Sequence, residues 1–171
     1  MKNIYLFFVI LFITGCESSN ISDLNTKFVS CPPVLFSSEH KIYFGISSDD
    51  FSIDDLTFRA EINNALFTKE CKINDDVFVS DLSILFIINP LVEKLNSIDL
   101  PFYIAILDQN KELVDIHYLS TNKKTNINLQ TDSLIETEII ENLLIKSNKI
   151  NKFSTIIIGF ILEKKRLKIL N

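Results

Sequence analysis

Leu56-Thr57-Phe58-Arg59-Ala60-Glu61-Ile62-Asn63 alternates apolar and polar residues without a break. Side chains of an extended chain point to opposite faces in turn. This period of two therefore predicts a half-buried strand with Leu56, Phe58, Ala60 and Ile62 inward. Further along, Val77 to Ile88 carries Phe78, Leu82, Ile84, Phe86 and Ile88 on one face and closes at Asn89-Pro90. Its second half is apolar on both faces, as expected of a strand inside a sheet or one whose outer face meets the following loop. Pro101 to Leu107 is apolar, Asp108-Gln109-Asn110-Lys111 has turn chemistry, and Glu112 to Leu119 extends again. That order predicts a β-hairpin with Asn110 in the left-handed position where Gly often sits.

Ser154 to Leu162, with Ile156, Ile157, Ile158, Phe160 and Ile161, predicts a strong closing strand. Thr125 to Leu129 reads as extended, and Ile135 to Ile145 as extended or helical. Asn122 to Asn126 and Ser147 to Lys152 read as Lys- and Asn-rich loops. About seven short strands between polar turns, with no alternating long helices, predict an all-β fold. The expected arrangement is an immunoglobulin- or fibronectin-like antiparallel β-sandwich, ending in a short basic helix over Glu163 to Leu170. No internal repeat is visible.

The length of 171 residues fits one domain, and 47% hydrophobic against 23% charged residues implies a packed interior. There is no Trp and there are three Gly. Asn is therefore expected at turns, because it tolerates positive φ better than other side chains. The formal charge is −5 from 17 cations and 22 anions, and offers nothing to nucleic acid.

Lys2 is a short basic region, Ile4 to Ile13 is almost wholly apolar, and Thr14, Gly15 and Cys16 follow at once. This is the order of a secretory signal. The apolar run is about half of the roughly 20 residues that a helix needs to span the hydrocarbon core, so export and cleavage are expected instead of a permanent span. Ile13-Thr14-Gly15-Cys16 resembles the lipobox of bacterial lipoproteins, in which small residues give the peptidase access to the bond before a lipid-modified cysteine. The first position is usually Leu; Ile13 departs from it. The resemblance makes Cys16 the mature N-terminus and the lipidated residue. Removing Lys2 leaves 16 cations against 22 anions and a charge of −6.

Each buried methylene contributes about 0.8 kcal/mol, so the two or three acyl chains of a mature lipoprotein hold far more firmly than one chain. Glu17 replaces the Asp that commonly retains such proteins in the inner membrane, which favours the periplasmic face of the outer membrane. Glu17 to Lys27 is polar and reads as a tether. The expected division is a signal peptide at 1–15, a lipidated N-terminus and flexible tether at 16–30, and a β-sandwich domain at 31–171.

With Cys16 taken by lipid, Cys31 and Cys71 remain as an even pair in an oxidising compartment, where a disulfide is the natural expectation. It would close a loop of about 41 residues, for which chain entropy gives roughly 4 kcal/mol. Two buried free thiols are the alternative, and a metal site would lack its other ligands.

Cys31-Pro32, Cys71 before Ile73, Pro101-Phe102-Tyr103 leading to Asp108, and Ile158-Gly159-Phe160 together resemble a group of uncharacterised alphaproteobacterial lipoproteins. In that group a Cys-Pro follows the lipobox after a short spacer, and a second cysteine precedes a strand. A Pro-Phe-Tyr strand then leads to an Asp-rich turn, and a Gly-Phe strand comes near the end. The likeness runs from about Cys16 to Leu167, with Asn110 standing where the turn usually has Gly. It implies an envelope location, a β-rich fold and a Cys31–Cys71 bond, and brings no activity with it.

His40 and His117 belong to no recognisable catalytic or metal spacing and read as surface or edge residues. No Gly-x-Ser-x-Gly elbow, Gly-rich phosphate loop or His-Glu-x-x-His helix occurs. Asp49-Asp50, Asp54-Asp55 and Asp75-Asp76 lack the spaced oxygen ligands of a calcium loop and read as solvated turns. The basic stretch Glu163 to Lys168 either touches anionic headgroups or an acidic partner, or is a solvated helix end that suits its dipole.

No catalytic residue, cofactor or metal is therefore expected. The expected function is that of a non-catalytic envelope lipoprotein, bound to the membrane through Cys16, whose sandwich binds another protein of the envelope or contributes to envelope assembly. A periplasmic enzyme or accessory subunit, and a carrier of an apolar ligand, are the competing readings. Convergent carboxylates or a histidine in a deep pocket would favour the enzyme, and a fully packed interior would exclude the carrier.

Overall fold

A computed structural model describes residues 26–47, 53–128, 134–146 and 153–162. Among the described residues ten strands run in chain order: β1 (Lys27–Phe28), β2 (Val34–Phe36), β3 (Ile42–Ile46), β4 (Leu56–Phe67), β5 (Lys72–Asn74), β6 (Val77–Pro90), β7 (Lys94–Asp108), β8 (Leu113–Asn128), β9 (Ile135–Lys146) and β10 (Phe153–Phe160). A 3-10 turn covers Ile53–Asp55. The described chain is an all-β sandwich of two packed sheets.

The first sheet is organised by β6. Along one edge of β6 lie β4 and then β5, and along the other lies β9, antiparallel over its whole length. β3 flanks β4 and β1 flanks β5. The second sheet has the order β2-β10-β7-β8, with β2 parallel to β10 and the remaining pairs antiparallel. The link between the sheets stays bonded to both: Ser37 N donates to Ile158 O and Phe160 N donates to His40 O at 2.7 Å on β10 of the second sheet, and Ile62 N of β4 in the first donates to Lys41 O at 3.1 Å.

The alternation that predicts the strands also fills the interior. Phe58, Ala60 and Ile62 of β4, and Leu82, Ile84, Phe86 and Ile88 of β6, are buried in one cluster with Phe102, Ile104, Ile156, Ile158 and Phe160 of the other sheet, while buried Phe78 packs with Ile106. The Phe86 ring lies 5.4 Å from that of Phe102 and 5.6 Å from that of Phe160, and Tyr43 lies 5.4 Å from Phe160. Each such side chain gives about 1.5–3 kcal/mol when withdrawn from water.

Two glycines serve this packing by close approach. Gly45 faces Phe58 across β3 and β4, and a Cβ there would stand 2.1 Å from the Phe58 ring. Gly159 faces Tyr103 across β10 and β7, and its Cβ would meet the Tyr103 hydroxyl at 2.6 Å. In each case an aromatic ring lies over the bare backbone of its cross-strand partner.

Cys31 and Cys71 form the expected disulfide, with Cα atoms 5.3 Å apart. It ties the segment leaving β1 to the break between β4 and β5. Cys71 is packed with Phe78, Ile106 and Ile145. Ile135 to Ile145, open between helix and strand from sequence, is strand β9.

Several expectations are corrected. Asn122 to Asn126 is not a loop, because β8 continues through it to Asn128, held by Lys94–Asp99 of β7. The left-handed residue of the β7–β8 turn is Lys111 (φ 66), not Asn110. The Asp108 carboxylate accepts from the N–H groups of Asn110 and Glu112 at 2.8 Å each, and Lys111 N donates to Asp108 O. That network builds a three-residue loop whose last member takes positive φ. Lys27–Phe28, expected in the tether, pairs with β5. The signal peptide, Cys16, Asp49-Asp50, the Ser147 to Lys152 loop and the C-terminal basic helix lie outside the described residues.

Candidate functional site: an open groove on the outer face of the first sheet

β4 and β5 would be one strand were it not for Thr68 to Cys71. This stretch leaves the ladder while remaining held to β6, with Thr68 N donating to Asp81 O at 2.9 Å and Ser80 Oγ to Lys69 O at 3.1 Å. Its departure opens a groove of about 600 Å³ on the outer face of the sheet. Register places Phe28, Lys72, Val79 and Leu144 in one row across β1, β5, β6 and β9. Phe28, Lys72 and Val79 line the groove, and the Phe28 side chain is 65% exposed.

In the next row Asp81 faces Asn142. The Asp81 carboxylate accepts from Lys69 Nζ at 2.6 Å and from Asn142 Nδ2 at 2.7 Å. The Lys69 hydrogen bond, and after it that of Asn142, hold this carboxyl below its ordinary value of 3.8. Asp81 is thus held as an anion by its two donors. Glu70 and Lys72 also line the groove and form no ion pair among the described residues. An exposed ring beside separated charges of both signs suits recognition of a polar, partly apolar chain segment.

The residues weighed from sequence do not converge here. His40 packs edge-on against Tyr103, 5.7 Å between ring centres, and His117 pairs in register with Ile104 of β7. Asp75 and Asp76, with φ of 44° and 63°, form the two-residue turn between β5 and β6. Both positive values are those of a type I′ hairpin, the solvated turn expected from sequence. Asp54 and Asp55 lie in the 3-10 turn. Among the described residues no three His, Cys, Asp or Glu side chains cluster as metal ligands, and no helix is long and apolar enough to cross a membrane.

The groove itself is missed by sequence reasoning, although one signal was present. Asp81 is the one charged residue between Val77 and Ile88, on a strand otherwise read for its apolar face. A charge at the middle of a central strand needs a partner. Compared with known proteins, the chain matches no family model, no curated protein and no solved structure.

Proposed function

We propose that this protein is a bacterial envelope lipoprotein, cut before Cys16 and held by acyl chains on that cysteine at the periplasmic face of the outer membrane. Its sandwich is a non-catalytic binding or assembly module that takes a segment of an envelope protein into the groove beside Phe28. The observation that carries the anchoring is the apolar run Ile4 to Ile13 followed at once by Thr14-Gly15-Cys16. The disulfide between Cys31 and Cys71 supports an oxidising compartment.

The binding part is supported by the groove's exposed Phe28 and its separated charges. The enzyme reading calls for a deep pocket holding convergent carboxylates or a histidine, whereas the groove is open and no histidine lines it. A carrier would need room between the sheets, where Phe86, Phe102 and Phe160 are in ring contact.

Metabolic labelling with a fatty acid, in the wild type and in Cys16→Ala, tests the anchor: label should vanish in the variant, and equal labelling ends the lipoprotein reading. For the groove, a photocrosslinking residue at Phe28 should capture an envelope protein that the same residue at Glu112, in the β7–β8 turn, does not. Identical capture at both positions contradicts the groove.

A further inference from the structure

A strand at the edge of a sheet presents unpaired N–H and C=O groups that template another strand. Proteins blunt such edges by keeping them short, by irregular pairing or by proline. β2 is three residues long and follows Pro32-Pro33, β3 pairs with β4 through a register shift at Gly45/Ile46, and the β7–β8 ladder shifts twice. β9 differs. It pairs with β6 residue for residue over twelve positions with no shift, contains no proline, and has no strand on its other edge among the described residues. On its outer face Ile140 is 62% exposed and Leu144 56%.

We propose that β9 pairs antiparallel with β9 of a second copy of this chain, about a two-fold axis at Asn142. The inference rests on side-chain order. With the axis there, Glu138 lies opposite the second copy's Lys146 and Ile140 opposite its Leu144, each pair occurring twice, and Asn142 faces its own equivalent. Glu141, on the other face, meets Leu143. All five outer-face residues, Glu138, Ile140, Asn142, Leu144 and Lys146, are exposed in the single chain. An axis at Glu141 would set that carboxylate against itself. An axis at Ile140 would leave Glu138 opposite Asn142 and Glu136 opposite Leu144, with no cation facing either. Opposite charges and apolar pairs directly across a ladder stabilise it, and like charges weaken it.

Asn142 also lines the groove. The pairing therefore sets two grooves on one continuous sheet face, either side of the seam, and deepens the binding reading by making the surface bivalent. The pairing itself does not depend on the anchor.

The test uses the full chain in its native membranes. Residues directly opposite in an antiparallel pair have Cα atoms about 4.5–5.5 Å apart, within disulfide reach. Oxidised Asn142→Cys should run as a reducible homodimer, while Ile140→Cys, Glu112→Cys and the wild type, which carries Cys16, should not. Sedimentation of detergent-extracted protein should show two chains in the wild type and one in Lys146→Glu. Two chains should return in the double variant Glu138→Lys/Lys146→Glu. Equal crosslinking at Ile140 and Asn142, a crosslink to a different protein alone, or a single-chain mass in the wild type would overturn the proposal.

Discussion

Phe58 and Tyr103 fold over Gly45 and Gly159, so these glycines are constrained by neighbours and not by their own dihedral angles, neither of which is positive. Gly45→Ala should destabilise the domain by about 1–3 kcal/mol in urea denaturation, because a buried ring must leave its rotamer to admit the methyl. An unchanged midpoint contradicts the close packing.

A second residue-scale outcome concerns acid. Glu61 accepts from Lys41 and Arg59, both at 3.0 Å. The Lys41 hydrogen bond is the main cause holding its carboxyl below the ordinary 4.5, against partial desolvation, with Arg59 helping. A carboxyl with a depressed folded pKa stabilises fully above its unfolded pKa, and this is lost as pH falls through the folded value. Lys41→Ala should therefore cost no more than about 1 kcal/mol at neutral pH, and the difference from wild type should shrink below about pH 4.5. A difference growing toward acid contradicts the sign. At this scale Lys111 shows what was illegible: the residue taking positive φ is set by the hydrogen bonds of Asp108, and residue type alone points one position earlier.

At the scale of elements, β4 and β6 were legible because their inward residues follow the two-residue period and are nearly all apolar. Half of the β7–β8 ladder was not. Buried Leu95 and Ile98 are three residues apart because the ladder shifts between Leu95 and Ser97, which breaks the alternation. Asn122 to Asn126 is then drawn into strand by its partner, with no apolar pattern of its own. The groove was hidden for a similar reason: it arises where Thr68 to Cys71 departs from a strand, a tertiary event marked in sequence only by Asp81.

The central element carries a prediction. Phe86→Ala removes a ring in contact with Phe102 and Phe160 and should cost about 3–5 kcal/mol by chemical denaturation. A loss below about 1 kcal/mol would mean that the sheets are not in contact there. The disulfide belongs to the same scale, since it joins the segment after β1 to the break before β5. Cys31→Ser/Cys71→Ser should lose roughly 4 kcal/mol, and no loss contradicts a bond that constrains the chain.

For the whole molecule, the proposed anchor would set the position of the sandwich. Lys27 opens β1, eleven residues after Cys16. At about 3.3–3.6 Å per extended residue, the proposed lipid on Cys16 would keep the Phe28 edge of the groove within about 40 Å of the bilayer. The all-β class and the disulfide were legible because both follow from residue pattern and pairing arithmetic. The groove and the free edge of β9 were not, because they depend on which strands end up neighbours. The proposed role unites these parts: an anchored module whose binding face lies close to the membrane and is doubled when β9 meets its copy.

The account rests first on acylation of Cys16, and the intact mass of the protein isolated from cell membranes tests it most directly. The account predicts a chain beginning at Cys16 and heavier than its polypeptide by bound fatty acyl groups. A chain beginning at Met1 with no added mass would contradict it.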